Sequence, residues 1–147
     1  MGHGRVGIDL VPFSRVRDLV RPGSEPVLAR MLSADEARLS FGDAGPDIPG
    51  IAGRLAAKEA VFKLFHAPGQ TLPWRGIEIL TADGGWPVVR LGGQAAALAR
   101  RAGIDHIAVS ISHDDPCAVA VAFSAGPAVP HTGPETTVQS SQLPDQH

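Results

Sequence analysis

Residues 54–66, Arg-Leu-Ala-Ala-Lys-Glu-Ala-Val-Phe-Lys-Leu-Phe-His, constrain the fold of this chain more than any other segment. Ala, Leu, Lys and Glu favour a helix here, and Pro68-Gly69 stops it. Leu55, Ala56, Ala57, Ala60, Val61, Phe62, Leu64 and Phe65 leave no wide polar face. A helix that is apolar nearly all round must be packed on several sides. The remaining elements therefore have to wrap it, and its few charged groups then sit beside protein or ligand rather than in open water.

The flanking sequence supplies those elements. Val6 to Val11 alternates as a strand, with Asp9 inside it,. Helices are expected over Phe13 to Val20, over Pro26 to Leu32, and from Ala34 to about Phe41, the last opened by the capping-box spacing of Ser33 and Glu36,. Gly42 to Gly50, with its glycines and prolines, reads as a loop,. Ile77 to Thr81 and Trp86 to Leu91 read as a hairpin,. Gln94 to Ala102 reads as a helix capped by Gly103, followed by strands over Ile107 to Ser112 and Ala118 to Phe123,. This order argues for an α+β fold, an antiparallel sheet packed with a long central helix. One domain is expected over residues 1–125. Residues 126–147, rich in Pro, Ser and Gln, lack the apolar content to pack and read as a disordered tail,.

Composition excludes several function classes. The 13 Lys and Arg balance 15 Asp and Glu to a net charge of −2, so no basic field recruits nucleic acid or an anionic membrane,. The single cysteine, Cys117, excludes an intrachain disulfide and a multi-cysteine zinc site,. No apolar run approaches the roughly 20 residues that span a bilayer, and the N-terminus lacks a signal-peptide pattern. The expectation is a cytoplasmic protein. No P-loop, dinucleotide-binding fingerprint, H-E-x-x-H or G-x-S-x-G pattern is present,.

Three places carry chemistry. Glu59 and Lys63 lie one turn apart on the central helix, flanked by Lys58 and His66,. From the helix alone, a plain i,i+4 ion pair on a solvated edge is the commoner arrangement. Asp9, in an apolar strand, must be paired, hydrogen-bonded or metal-bound, unless it caps a strand end. His113 closes the alternating strand Ser110-Ile111-Ser112 and can serve as a phosphate contact, an acid–base group or a structural histidine,.

Taken together, Gly7-Ile8-Asp9-Leu10-Val11, Arg54-Leu55-Ala56-Ala57-Lys58-Glu59-Ala60-Val61-Phe62-Lys63, Gly85-Trp86-Pro87 and Ser110-Ile111-Ser112-His113 come in a fixed order. This order resembles the 4′-phosphopantetheinyl transferase superfamily, in its short holo-[acyl-carrier-protein] synthase type, over about residues 5–124. The resemblance implies transfer of 4′-phosphopantetheine from coenzyme A to a serine of an apo acyl carrier protein, releasing adenosine 3′,5′-bisphosphate. It also implies Mg²⁺ and a homotrimer with active sites between subunits.

By the same resemblance, Asp9 and Glu59 are the metal ligands, and Lys63 adds positive charge at the diphosphate. Glu59 or a metal-bound water takes the serine proton. Arg54 and Lys58 stand near the nucleotide, Gly85 and Pro87 line its cleft, and His113 contacts the 3′-phosphate across the interface. Arg15 faces the acidic carrier; Arg17 and Arg21, neighbours one turn apart, either extend that patch or form a solvated helix face,. The carrier is one of fatty-acid or polyketide synthesis. The chain departs from the family pattern at Pro12, at Trp86 and at His66-Ala67-Pro68-Gly69, where a Gly-Thr-Gly-like turn is frequent. The alternative is a catalytically silent carrier- or nucleotide-binding module on the same fold.

Overall fold

The computed structural model describes residues 4–126; residues 127–147, which hold the expected tail, lie outside the described residues. In chain order the elements are β1 (Arg5–Pro12), α1 (Phe13–Leu19), α2 (Glu25–Ala29), α3 (Ala34–Ser40), β2 (Phe41–Gly42), β3 (Gly45–Pro46), α4 (Ile48–Leu64), β4 (Ile77–Thr81), β5 (Pro87–Leu91), α5 (Gly93–Arg101), β6 (Ala108–Asp114) and β7 (Cys117–Ser124). A 3₁₀ turn over Trp74–Gly76 leads into β4.

Helix α4 is the centre, as its composition requires. Ile51, Ala52, Leu55, Ala56, Ala57, Ala60, Val61 and Leu64 are all fully buried. It begins at Ile48 rather than at Arg54, inside the stretch read as a loop. The Asp47 side chain accepts a hydrogen bond from the Gly50 N–H at 3.1 Å and caps the first turn,. Pro49 falls in that turn, where its missing N–H costs nothing,. Gly53, a weak helix former, is tolerated because a Cβ there would lie 2.8 Å from the Ile111 methyl of β6. The rest of the expected loop forms the short β2–β3 hairpin. At the other end, His66 leaves the helix with φ +45°, a left-handed position more often held by glycine,.

Three antiparallel strands in the order β1-β7-β6 cover one side of α4. The alternation of β7 turns Ala118, Ala120 and Ala122 onto the helix, all fully buried. Their small side chains let helix and sheet approach closely. The approach is closest at Gly7, where a Cβ would lie 2.1 Å from the Ala60 carbonyl oxygen. Gly7→Ala should therefore destabilise the fold by about 2 kcal/mol or more, since β1 must move off α4 to admit one methyl group. Denaturant unfolding checks this; an unchanged midpoint would mean that β1 shifts freely.

The hairpin β4–β5 forms a separate two-stranded sheet on the other side of α4. Its Ala82–Trp86 turn closes with Gly85 at φ +95°. Helix α3 carries the expected capping box between Ser33 and Glu36, and Gly103 takes φ +71° after α5. The outer face of the three-stranded sheet is apolar and uncovered: Val6, Ile8 and Leu10 of β1 are each more than half exposed, beside Val121 and Phe123 of β7.

Candidate active site

Strand alternation puts Gly7, Asp9 and Val11 on the side of β1 that meets α4,. Because Gly7 rests on Ala60, the next inward residue, Asp9, arrives beside Glu59 and Lys63. Lys63 Nζ donates to the Ile8 carbonyl at 2.7 Å and reaches Asp9 Oδ1 at 3.4 Å. Arg15, on the first turns of α1, reaches Glu59 Oε1 at 3.4 Å. The other Asp9 oxygen, Oδ2, is buried with no hydrogen-bond partner.

Glu59 is pushed up to about 7 by burial first, and then by the hydrogen bond and negative charge of Asp9, with Arg15 opposing. Two facing carboxyls, one holding a buried oxygen with no donor and the other reluctant to ionise, stand between the Lys63 and Arg15 side chains,. That donor set fits a hard divalent cation such as Mg²⁺, which takes one or two carboxylates and completes its shell with water and phosphate oxygens. No cluster of three or more His, Cys, Asp or Glu occurs among the described residues.

A metal here must displace the Glu59 proton. The ligand is the deprotonated form, so affinity rises with pH up to about 7 and levels above it,. Mg²⁺ should bind about tenfold more tightly at pH 8 than at pH 6, with proton release at the lower pH. Calorimetric titration in buffers of different ionisation enthalpy checks both. Equal affinity at the two pH values would remove Glu59 from the ligand set.

A second group gathers at the other end of α4. Arg54 is buried and donates through Nε to the Ile79 carbonyl at 3.1 Å and through a terminal nitrogen to Thr81 Oγ1 at 3.2 Å. It lines a cleft of about 230 Å³ with Gly85, Pro87 and His113. The His113 ring stands over Phe13, the first residue of α1, with centroids 6.5 Å apart. Asp9, Glu59 and Lys63 do not line this cleft. Arg54 and Glu59 are five residues apart, about 140° round the helix and about 7.5 Å along it. The chain thus carries two groups of candidate residues on different faces of one helix.

Lys58, expected near the nucleotide, lines neither the carboxylate group nor the cleft. It is fully buried, and Nζ is spent on Glu36 Oε1 at 2.6 Å and on the Trp74 and Ile77 carbonyls at 2.7 Å each. A helix buried all round lets a lysine point inward wherever a carboxylate waits. Arg21 sits in an exposed pair with Asp18 at 2.9 Å, outside both groups. Arg15, expected to face a carrier, also reaches the carboxylates. Glu36 was legible only as a capping residue, and Thr81 and Phe13 carried no signal of their contacts.

The profile of the 4′-phosphopantetheinyl transferase superfamily matches residues 5–122. The chain is 36% identical over 127 residues to the holo-[acyl-carrier-protein] synthase of Desulforudis audaxviator, covering 83% of this chain and 92% of that one. It is 39% identical over 121 residues to fatty acid synthase subunit alpha of Schizosaccharomyces pombe, covering 81% of this chain and 6% of that much longer one. A solved structure described as the Chronobacterium ammoniagenes ACPS–CoA complex superposes with a TM-score of 0.71 at 31% identity, covering 84% of this chain and 97% of that one. The chain belongs to the 4′-phosphopantetheinyl transferase superfamily. Within it, length and relatives place the chain with the holo-[acyl-carrier-protein] synthase type.

Proposed function

We propose that this chain transfers the 4′-phosphopantetheine of coenzyme A to a serine hydroxyl of an apo acyl carrier protein, releasing adenosine 3′,5′-bisphosphate. The observation that carries the reading is the unpartnered Asp9 oxygen facing Glu59, with Lys63 and Arg15 beside it. Mg²⁺ held by Asp9 and Glu59 supplies charge stabilisation at the diphosphate. Lys63, anchored on the Ile8 carbonyl, offers its ammonium to the same oxygens. Arg54 and His113 hold the nucleotide end in the cleft beside Gly85 and Pro87. Glu59 takes the serine proton as the serine oxygen bonds to phosphorus and the bond to the bisphosphate oxygen breaks.

Arg15 and Arg21 meet the acidic carrier; the exposed Asp18 pair holding Arg21 is weak and yields readily,. The chain acts as a homotrimer. Its bare sheet face, Val6, Ile8, Leu10, Val121 and Phe123, is covered by other copies, and each complete site joins one protomer's carboxylates to a neighbour's cleft,. On this reading the reaction runs in the cytoplasm.

Intact-mass measurement of apo carriers of fatty-acid and polyketide synthesis, incubated with the protein, coenzyme A and Mg²⁺, tests the reading. A gain of one phosphopantetheine per carrier is expected. Coenzyme A binding without mass gain on any carrier would overturn it in favour of a silent binding module.

A further inference from the structure

Beneath the cleft lies a buried ion pair that the transfer chemistry does not use. Lys58 and Glu36 meet at 2.6 Å with both side chains fully buried. Lys58 ties α4 to the turn before β4 through the Trp74 carbonyl and to the first residue of β4 through the Ile77 carbonyl. Glu36 Oε2 accepts the Ile79 N–H at 3.0 Å, while its Oε1 also accepts the Ser33 N–H at 3.0 Å. Ile79 is therefore gripped at its N–H by Glu36, and its carbonyl accepts Arg54 Nε. Both groups of one strand residue point the same way, so the grip on the first sets the position of the second. The contacts run Lys58, Glu36, Ile79, Arg54, and end at the cleft wall.

A buried ion pair is weak evidence for stability, because well-packed apolar residues of similar volume often serve as well. What this pair supplies is register: it allows one placement of β4 against α4. We propose that Glu36 and Lys58 are positioning residues for coenzyme A, aiming the Arg54 guanidinium into the cleft through Ile79. The inference rests on the cleft being the nucleotide site.

The double variant Glu36→Leu/Lys58→Met removes the charges together and leaves neither buried alone. It leaves the Ser33 and Ile79 N–H groups and the Trp74 and Ile77 carbonyls without their side-chain partners, so it should fold but unfold at a lower midpoint than wild type,. Its KM and calorimetric Kd for coenzyme A should rise about tenfold, the effect of one misaimed charged hydrogen bond, with kcat and carrier KM nearly unchanged. Adding Arg54→Lys should raise the coenzyme A KM no further, since Arg54 is the end of the chain of contacts.

Should the double variant fail to fold, Glu36→Gln tests the same point. Its one oxygen serves either the Ile79 N–H or Lys58 and the Ser33 N–H, so one side of the grip is lost,. A rise in coenzyme A Kd of about threefold is expected there. Wild-type affinity for coenzyme A in either folded variant, an equal loss in kcat and both KM values, or full additivity with Arg54→Lys would overturn the inference. A wild-type protein that does not bind coenzyme A would overturn the reading of the cleft instead.

Discussion

Asp9→Ala and Glu59→Ala should each lower turnover by at least about 10²-fold, because removing a metal ligand forfeits several kcal/mol of charge stabilisation at the diphosphate. Stability should move the other way or stay level. Glu59 ionises less readily in the folded chain than in the unfolded one, so its charge costs stability as pH rises from 4.5 to about 7,. Above that window the full cost is present; Glu59→Ala removes it, and Asp9→Ala removes only the part that Asp9 contributes. At pH 8 without metal, both variants should melt no lower than wild type. Activity and stability then separate, as expected where strain is kept for a ligand. Circular dichroism melts, Mg²⁺ titration and the mass assay read the three quantities. A variant with full activity in excess chelator would refute the metal assignment.

That Glu59 and Lys63 share a face was legible from one helical turn, while Asp9 joining them was legible as an expectation of the resemblance. Gly7 and Ala60 supply the contact that aligns them, and both are small for that reason. The gathering of Arg54, Gly85, Pro87 and His113 in one cleft was legible as an expectation of the resemblance, not from any spacing, since they come from three separate segments.

Two features were hidden for physical reasons. The start of α4 was masked by Pro49, Gly50 and Gly53, which break helices in general. Here they suit a capped first turn and a close approach to Ile111. The burial of Lys58 was hidden because a helix apolar all round gives no wheel by which to tell inward from outward,. Its partner Glu36 was disguised by a spacing that a surface capping box satisfies equally well.

Co-expression of Glu59→Ala with His113→Ala should restore activity that neither variant shows alone at low coenzyme A. Glu59→Ala lacks a ligand and is silent. His113→Ala loses one charged phosphate contact, about 1.5–3 kcal/mol, so its kcat/KM for coenzyme A falls at least about tenfold. In a trimer whose sites join one protomer's carboxylates to a neighbour's cleft, every mixed ring holds one intact site and two damaged ones. Random mixing of equal amounts makes about three quarters of the rings mixed, so about a quarter of wild-type activity should return. A site closed within one chain predicts none, because each protomer then carries its own lesion. The two half-sites on different faces of α4 favour the shared arrangement, and the bare apolar face of β1 and β7 gives the copies a surface to meet on. Subunits must be mixed during folding, by co-expression or co-refolding, for the rings to form. Activity no higher than the average of the two variants, in a preparation shown by native mass spectrometry to contain mixed rings, would place the whole site in a single protomer.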